Sequence, residues 1–323
     1  MRRDRLQNYI SGSVFTLPLC TLCCVALWWL SSDDDDWWER GGGLLLVAAT
    51  TYVLVELNNR NILLRIRTRL VSSTWLLSAA AIPLVHRWTP QLTSAFSLAA
   101  SYYLLFCTFQ KHRCQTTTFH WALMVGIGSI FVPQMIVCLP LFLCYQTTFL
   151  RSMSWRTFCA AIVGCLLPLS LWSVWWLSHN DHATLLNWVN QITALHLIDS
   201  DLYPLLTLQQ GCSWLLLSLL GLLGMLHYLS TSYDDRIQVR MMFYILCSQF
   251  VVIELYVGLQ PDHLDTMLPM LMVTASPLIA HFFALTSSWF TNALFVLTVL
   301  AFGALAYLNI WMPSSTFLHS MAM

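Results

Sequence analysis

Apolar stretches close to 20 residues long recur along the whole sequence, and only short polar segments separate them. About 20 apolar residues is the length that crosses the ~30 Å hydrocarbon core of a bilayer as a helix. No water reaches backbone N–H and C=O groups there, so each stretch must satisfy them internally, as a helix does. A transmembrane barrel is excluded, because its strands would alternate polar and apolar residues. Composition agrees. Of 323 residues, 58% are hydrophobic and 9% charged, and the mean hydropathy is +0.65, which leaves too little polar surface to cover a water-soluble globule.

The expected architecture is therefore an all-α, polytopic transmembrane helical bundle of about eleven spans, forming a single transmembrane domain over residues 1–323. The first span runs from about Val14 to Leu30 behind Arg2, Arg3 and Arg5. No convincing small-residue cleavage site follows it, so it reads as an uncleaved anchor with a cytoplasmic N-terminus. The remaining spans are expected near 43–58, 70–86, 93–109, 119–132, 134–150, 157–177, 210–230, 241–259, 267–284 and 291–311.

Threading these spans alternately tests the orientation. Arg2, Arg3, Arg5, Arg60, Arg65, Arg67, Arg69, Lys111, Arg113, Arg151, Arg156, Arg236 and Arg240 fall inside, and only Arg40 and Arg87 fall outside. The positive-inside rule is satisfied at every inner loop except the uncharged Thr286–Thr291. The same rule divides Phe119–Leu150, which is too long for one span and has basic residues beyond both ends. Two short helices breaking at Val132-Pro133-Gln134 place both ends inside. Trp28, Trp29, Trp37, Trp38, Trp88, Trp155, Trp175, Trp176 and Trp311 lie near span ends, where an indole buries its ring and keeps its N–H wet.

The net charge of zero offers no basic surface to nucleic acid. Most of the eleven cysteines fall inside apolar spans, and Cys20, Cys23 and Cys24, although they contain a C-x-x-C, read as packing residues. Walker A, G-x-G-x-x-G, H-E-x-x-H and G-x-S-x-G signatures are absent, which argues against ATP-driven transport by this chain alone.

Ionisable residues mark where chemistry is to be sought. Asp33, Asp34, Asp35, Asp36, Glu39, Asp181, Asp199, Asp201, Asp262 and Asp265 are assigned to the outer side, making that face acidic. Histidines join them in His179-Asn180-Asp181-His182, in His196–Asp201 and in Asp262-His263-Leu264-Asp265. Carboxylates and imidazoles at a membrane surface suit a divalent cation or acid–base work. Each also has a plainer reading as a wetted loop residue or a helix cap. Asp181, for example, directly precedes a stretch with Leu185, Val189 and Ile192 on one face, a short outer interfacial helix near 182–198. Glu254 lies within a span, where an ionisable group is a functional candidate or a packed, hydrogen-bonded carboxyl. Glu56, His227 and His281 sit near inner span ends, where snorkelling or capping accounts for them. Arg65, Arg67 and Arg69 on the inner side suit anionic head groups, although orientation alone explains them.

The segment order resembles the GT-C superfamily of membrane glycosyltransferases, which use lipid-linked sugar donors. Leu44–Ala81, with its Leu63-Leu64-Arg65-Ile66-Arg67-Thr68-Arg69-Leu70 connection, is similar to that family's second and third spans. Trp121–Gly128, with Gly126 and Gly128, and the proline-broken Phe131–Leu143 resemble its glycine-rich short-helix pair, followed by a basic turn at Arg151–Arg156. Leu264–Leu271, with Pro269, resembles the loop and span that close the core. The chain also resembles multi-pass proteins of the bacterial inner (cytoplasmic) membrane, which names no activity.

The GT-C resemblance implies transfer of a sugar from a polyprenyl-phosphate-linked donor at the outer face. Asp33, Asp34, Asp35 and Asp36 would then supply the catalytic base, and Glu254, His263 and Asp265 would contact substrate. His179, Asp181, His182 and Asp262 would hold a divalent cation, Mg or Mn, that neutralises the leaving phosphate. Two other readings stand beside it. One is a non-catalytic membrane subunit that holds partner subunits in a larger complex; the other is a transporter using Glu254 and the Pro133 break.

Overall fold

The computed structural model describes residues 6–31, 37–66, 68–193 and 206–311. The helices in chain order are α1 (Leu6–Gly12), α2 (Thr16–Leu30), α3 (Trp37–Asn61), α4 (Leu70–Ala81), α5 (Pro90–Phe106), α6 (Gln115–Phe131), α7 (Cys138–Thr148), α8 (Trp155–Ser178), α9 (His182–Thr193), α10 (Leu208–Thr231), α11 (Ile237–Leu259), α12 (Leu264–Leu285) and α13 (Trp289–Trp311). No extended strand occurs among the described residues. Among the described residues, six helical segments are long and apolar enough to cross a membrane, namely 37–61, 155–178, 208–234, 237–259, 261–285 and 289–311. The chain is an integral membrane protein of helical architecture. It divides into two compact units, Met1–Thr89 with Ile198–Met323, and Pro90–Leu197.

In the first unit, α12 is the central helix, with 89% of its membrane-length window buried. Helices α4, α10, α11 and α1 surround it. Small residues permit this closeness. A Cβ on Gly224 of α10 would strike the backbone of Leu278 and Ile279, so these two helices touch main chain to main chain. Pro269 and Pro277 lie inside α12. Proline removes a helix donor, and such interruptions are tolerated where neighbouring helices and hydroxyls satisfy the freed groups. Thr74 of α4 reaches across to the Ser276 carbonyl oxygen at 3.2 Å.

The expected span at 70–86 is shorter as a helix. Ile82 precedes Pro83 and is extended, at φ −117° and ψ 99°, which ends α4 at Ala81. Its 12 residues rise only about 18 Å, less than the hydrocarbon thickness. Every α4 residue except Leu77 is buried, against α2, α3, α12 and α13, so protein rather than lipid flanks the irregular backbone beyond its end. α3 begins at Trp37 rather than near 43, carrying Trp37, Trp38 and Glu39 into its first turn. Trp28 departs from the anchoring role expected of it: it is 4% exposed and stacks on His86 at 4.7 Å between ring centroids. Cys20 and Cys24 are buried while Cys23 is exposed, and all eleven cysteines are free.

The unit's polar contacts gather at two ends. Asn309 of α13 donates to the Ala81 carbonyl (2.8 Å) and to Ser213 of α10 (3.2 Å) at the end assigned outside. At the end assigned inside, the Gln7 amide nitrogen donates to the carbonyl oxygens of Phe283 (2.7 Å) and Thr286 (3.0 Å). Gln7 thereby pins α1 across the orphan carbonyls at the C-terminus of α12.

In the second unit α6 packs against α5 and α8. Added Cβ atoms on Gly126 and Gly164 would meet the backbone of Cys165 and Phe119, so α6 and α8 also pack at backbone distance. The break between α6 and α7 lies at Val132-Pro133, with Val132 extended and a 3-10 turn over Pro133–Val137. Ser154 and Thr157 form a capping box at the start of α8. Trp188 of α9 donates to the Ser129 carbonyl at 2.8 Å, fixing α9 to the end of α6.

Candidate functional site

Asp33, Asp34, Asp35 and Asp36 lie outside the described residues. In the first unit, Glu254 of α11 accepts from Trp214 Nε1 (3.0 Å) and Ser218 Oγ (2.6 Å), both on α10. Asp265, in the first turn of α12, accepts from Gln210 Nε2 of α10 at 2.7 Å. Gln210 also closes the α10 capping box by accepting from the Thr207 amide. His263 lies 5.9 Å from the Tyr256 ring, and Asp262 is exposed.

In the second unit, both Asp181 oxygens serve the start of α9, accepting from the Thr184 amide (3.1 Å) and hydroxyl (2.7 Å). These bonds hold its carboxyl below the usual carboxylate range. The His179 ring sits 2.8 Å from the Trp175 carbonyl of its own helix, and His182 is exposed. Among the described residues, no three His, Cys, Asp or Glu side chains come together as a metal-binding group.

A second constellation lies at the end of the first unit assigned inside. The Arg65 side chain donates through Nε to Asp235 Oδ1 at 2.5 Å, through NH1 to Asp234 at 3.4 Å and through NH2 to the Thr231 carbonyl at 3.3 Å. The other Asp235 oxygen is 3.5 Å from His281 Nε2, an ion pair when the imidazole is protonated. His281 is fully enclosed, with Tyr228 and Phe243 ring centroids at 5.0 and 4.9 Å and His227 at 5.6 Å. Burial alone would raise the Asp235 carboxyl, but the hydrogen bonds and charge of His281 and Arg65 outweigh it and hold the group below its ordinary value. The same bond from Arg65 to Asp235 raises the guanidinium.

Known protein families, curated proteins and solved structures give no match to this chain.

The inner array joins three elements that are distant in sequence: the segment before α4, the turn between α10 and α11, and the last turn of α12. It can fasten them. Read from sequence, Arg65 marks orientation and His281 a span end, so neither draws attention. The available signal is Asp234-Asp235, an acidic pair in a loop assigned inside, where the positive-inside rule expects arginine and lysine.

Proposed function

We propose that the chain is a non-catalytic integral membrane subunit, a helical scaffold that holds partner proteins within a membrane complex. The observation that carries this reading is Glu254. An intramembrane carboxyl is costly and by default functional, yet both of its oxygens are engaged by α10, at 2.6 and 3.0 Å. Asp265 is engaged by the same helix, and Asp181 caps its own segment. Carboxyls used as helix-to-helix acceptors serve architecture. Extraction of the tagged chain from its native membrane into polymer nanodiscs tests the reading. A second membrane protein in fixed ratio is expected, and a chain that leaves the membrane alone contradicts it.

The same proposal keeps about eleven crossings with a cytoplasmic N-terminus, in a bacterial inner membrane. Impermeant labelling of single cysteines placed at the loops checks that count.

One sequence observation favours a second reading, a GT-C-like transferase acting on a polyprenyl-phosphate-linked sugar with Mg or Mn: ten of the fifteen acidic residues are assigned to the outer side, Asp33–Asp36 among them. Manganese-dependent sugar transfer, lost when Asp33–Asp36 are changed to Asn, would establish it; equal and negligible turnover by both chains removes it.

A further inference from the structure

On the flank of the first unit, α2 and α13 both pack on α4 and leave a slot of about 350 Å³ between them, floored by α4 and α12. Leu19, Leu77, Phe283, Phe295, Val299 and Phe302 form its walls. The slot is apolar even where most of its hydroxyls line it, because those of Thr16, Ser73, Thr74 and Thr298 are turned to backbone. Thr16 donates to the Ile10 carbonyl (2.5 Å), Ser73 to Arg69 (2.9 Å), Thr74 to Leu70 (2.9 Å) and Thr298 to Leu294 (2.8 Å). None of these four side chains therefore asks for a polar ligand.

The slot occupies the inner half of the unit. Its α4 residues come from the first two turns of α4 and its α12 residues from the last two, while its α13 residues, Phe295 to Phe302, span the middle of that helix. The inner end closes on Tyr9, Ile10 and Ser13 of the α1 segment. Beside that end stands Arg69, exposed, with NH1 donating to the Val14 carbonyl at 3.2 Å. Val14 lies between Ser13 and Phe15, and Arg69 precedes Leu70; Ser13, Phe15 and Leu70 all line the slot. None of the ion pairs among the described residues involves Arg69. Its remaining N–H donors are available at the level where lipid head groups lie.

A chain of methylenes joined to a negative head group matches both the narrow apolar walls and the cation at the mouth. We propose that this slot binds one acyl chain of an anionic phospholipid of the inner leaflet, with its phosphate held by Arg69.

The test is native mass spectrometry of the full chain in detergent, delipidated and then given phosphatidylglycerol or phosphatidylcholine with identical acyl chains. One phospholipid is expected to bind per chain, with phosphatidylglycerol favoured about fivefold, the factor for one basic group near a head group. Val299→Trp fills the slot from its lipid-facing wall and should lower bound lipid at least roughly tenfold. Arg69→Gln, at an exposed position, should retain binding and bring the preference near unity, which keeps the test decisive if V299W misfolds. Equal lipid retention by wild type and a folded V299W overturns the proposal, as does the absence of any phosphatidylglycerol preference in wild type. A change in oligomeric mass on V299W without loss of lipid assigns the slot to a second copy of the chain and overturns it equally.

Discussion

Arg65 and Asp235 are separated by 170 positions in the sequence and meet through a 2.5 Å bond from Nε to Oδ1. The Asp235 side chain is 2% exposed and that of Arg65 38%. The pair, with His281 on its far side, closes the end of the first unit assigned inside. Removing one partner of a buried pair leaves the other uncompensated, at a cost of about 3–5 kcal/mol when both are fully enclosed. Solvent around Arg65 reduces that figure.

Asp235→Asn is accordingly expected to destabilise the chain by about 2 kcal/mol, and Arg65→Ala by about 1–2 kcal/mol. The double variant should cost less than the sum, because each change removes the same contact. Thermal unfolding in a fixed detergent measures all three, and strict additivity would show that the contact contributes nothing.

The same group sets a pH dependence. Its folded pKa lies below the unfolded carboxylate value of about 3.9. The stability it contributes is therefore fully present above the unfolded value and is lost as pH falls through the folded one. The difference in unfolding midpoint between wild type and D235N should be flat from about pH 7 to 5 and should close below about pH 4. A gap that instead closes on raising the pH would reverse the assigned shift.

Glu254→Gln keeps an acceptor for Trp214 or Ser218 and should cost less than about 1 kcal/mol, whereas Glu254→Ala strands both donors and should cost about 1–3 kcal/mol. If the carboxylate had a chemical task, the Gln variant would keep its stability and lose activity. Co-extraction of the partner, measured with the unfolding midpoint on the same variants, separates the two.

Gly224→Ala puts a methyl group into the α12 backbone and should destabilise by about 1–3 kcal/mol. Gly258→Ala meets nothing within 4 Å and should be neutral or stabilising by up to about 1 kcal/mol, as for alanine replacing glycine in a helix. Parallel unfolding curves decide this. Equal effects of the two changes would mean that α10 and α12 are not in backbone contact.

What the sequence foretells follows the range of the forces involved. Helicity and the break at Val132-Pro133 are local consequences of solvent and of proline, and both are legible. The Asp181 cap is legible for the same reason, since its partner is three residues away. The α9 helix itself starts where expected, at His182. Trp28 is not legible: a tryptophan near a span end suggests anchoring, and only the distant His86 ring explains why it is buried. Nor is α4, which is read as a span because its apolar content does not reveal that protein surrounds it. The inner array is the clearest loss, because Arg65, Asp235 and His281 come from three separate segments and each has a sufficient local explanation.

The claim that the chain is a scaffold for partners is tested most directly by the mass of the particle extracted from its native membrane. The chain alone weighs 36.9 kDa. The account predicts a species heavier by the mass of a different membrane protein in fixed ratio, present in wild type and in Glu254→Gln. A particle containing only this chain, at that mass or a multiple of it, contradicts the account.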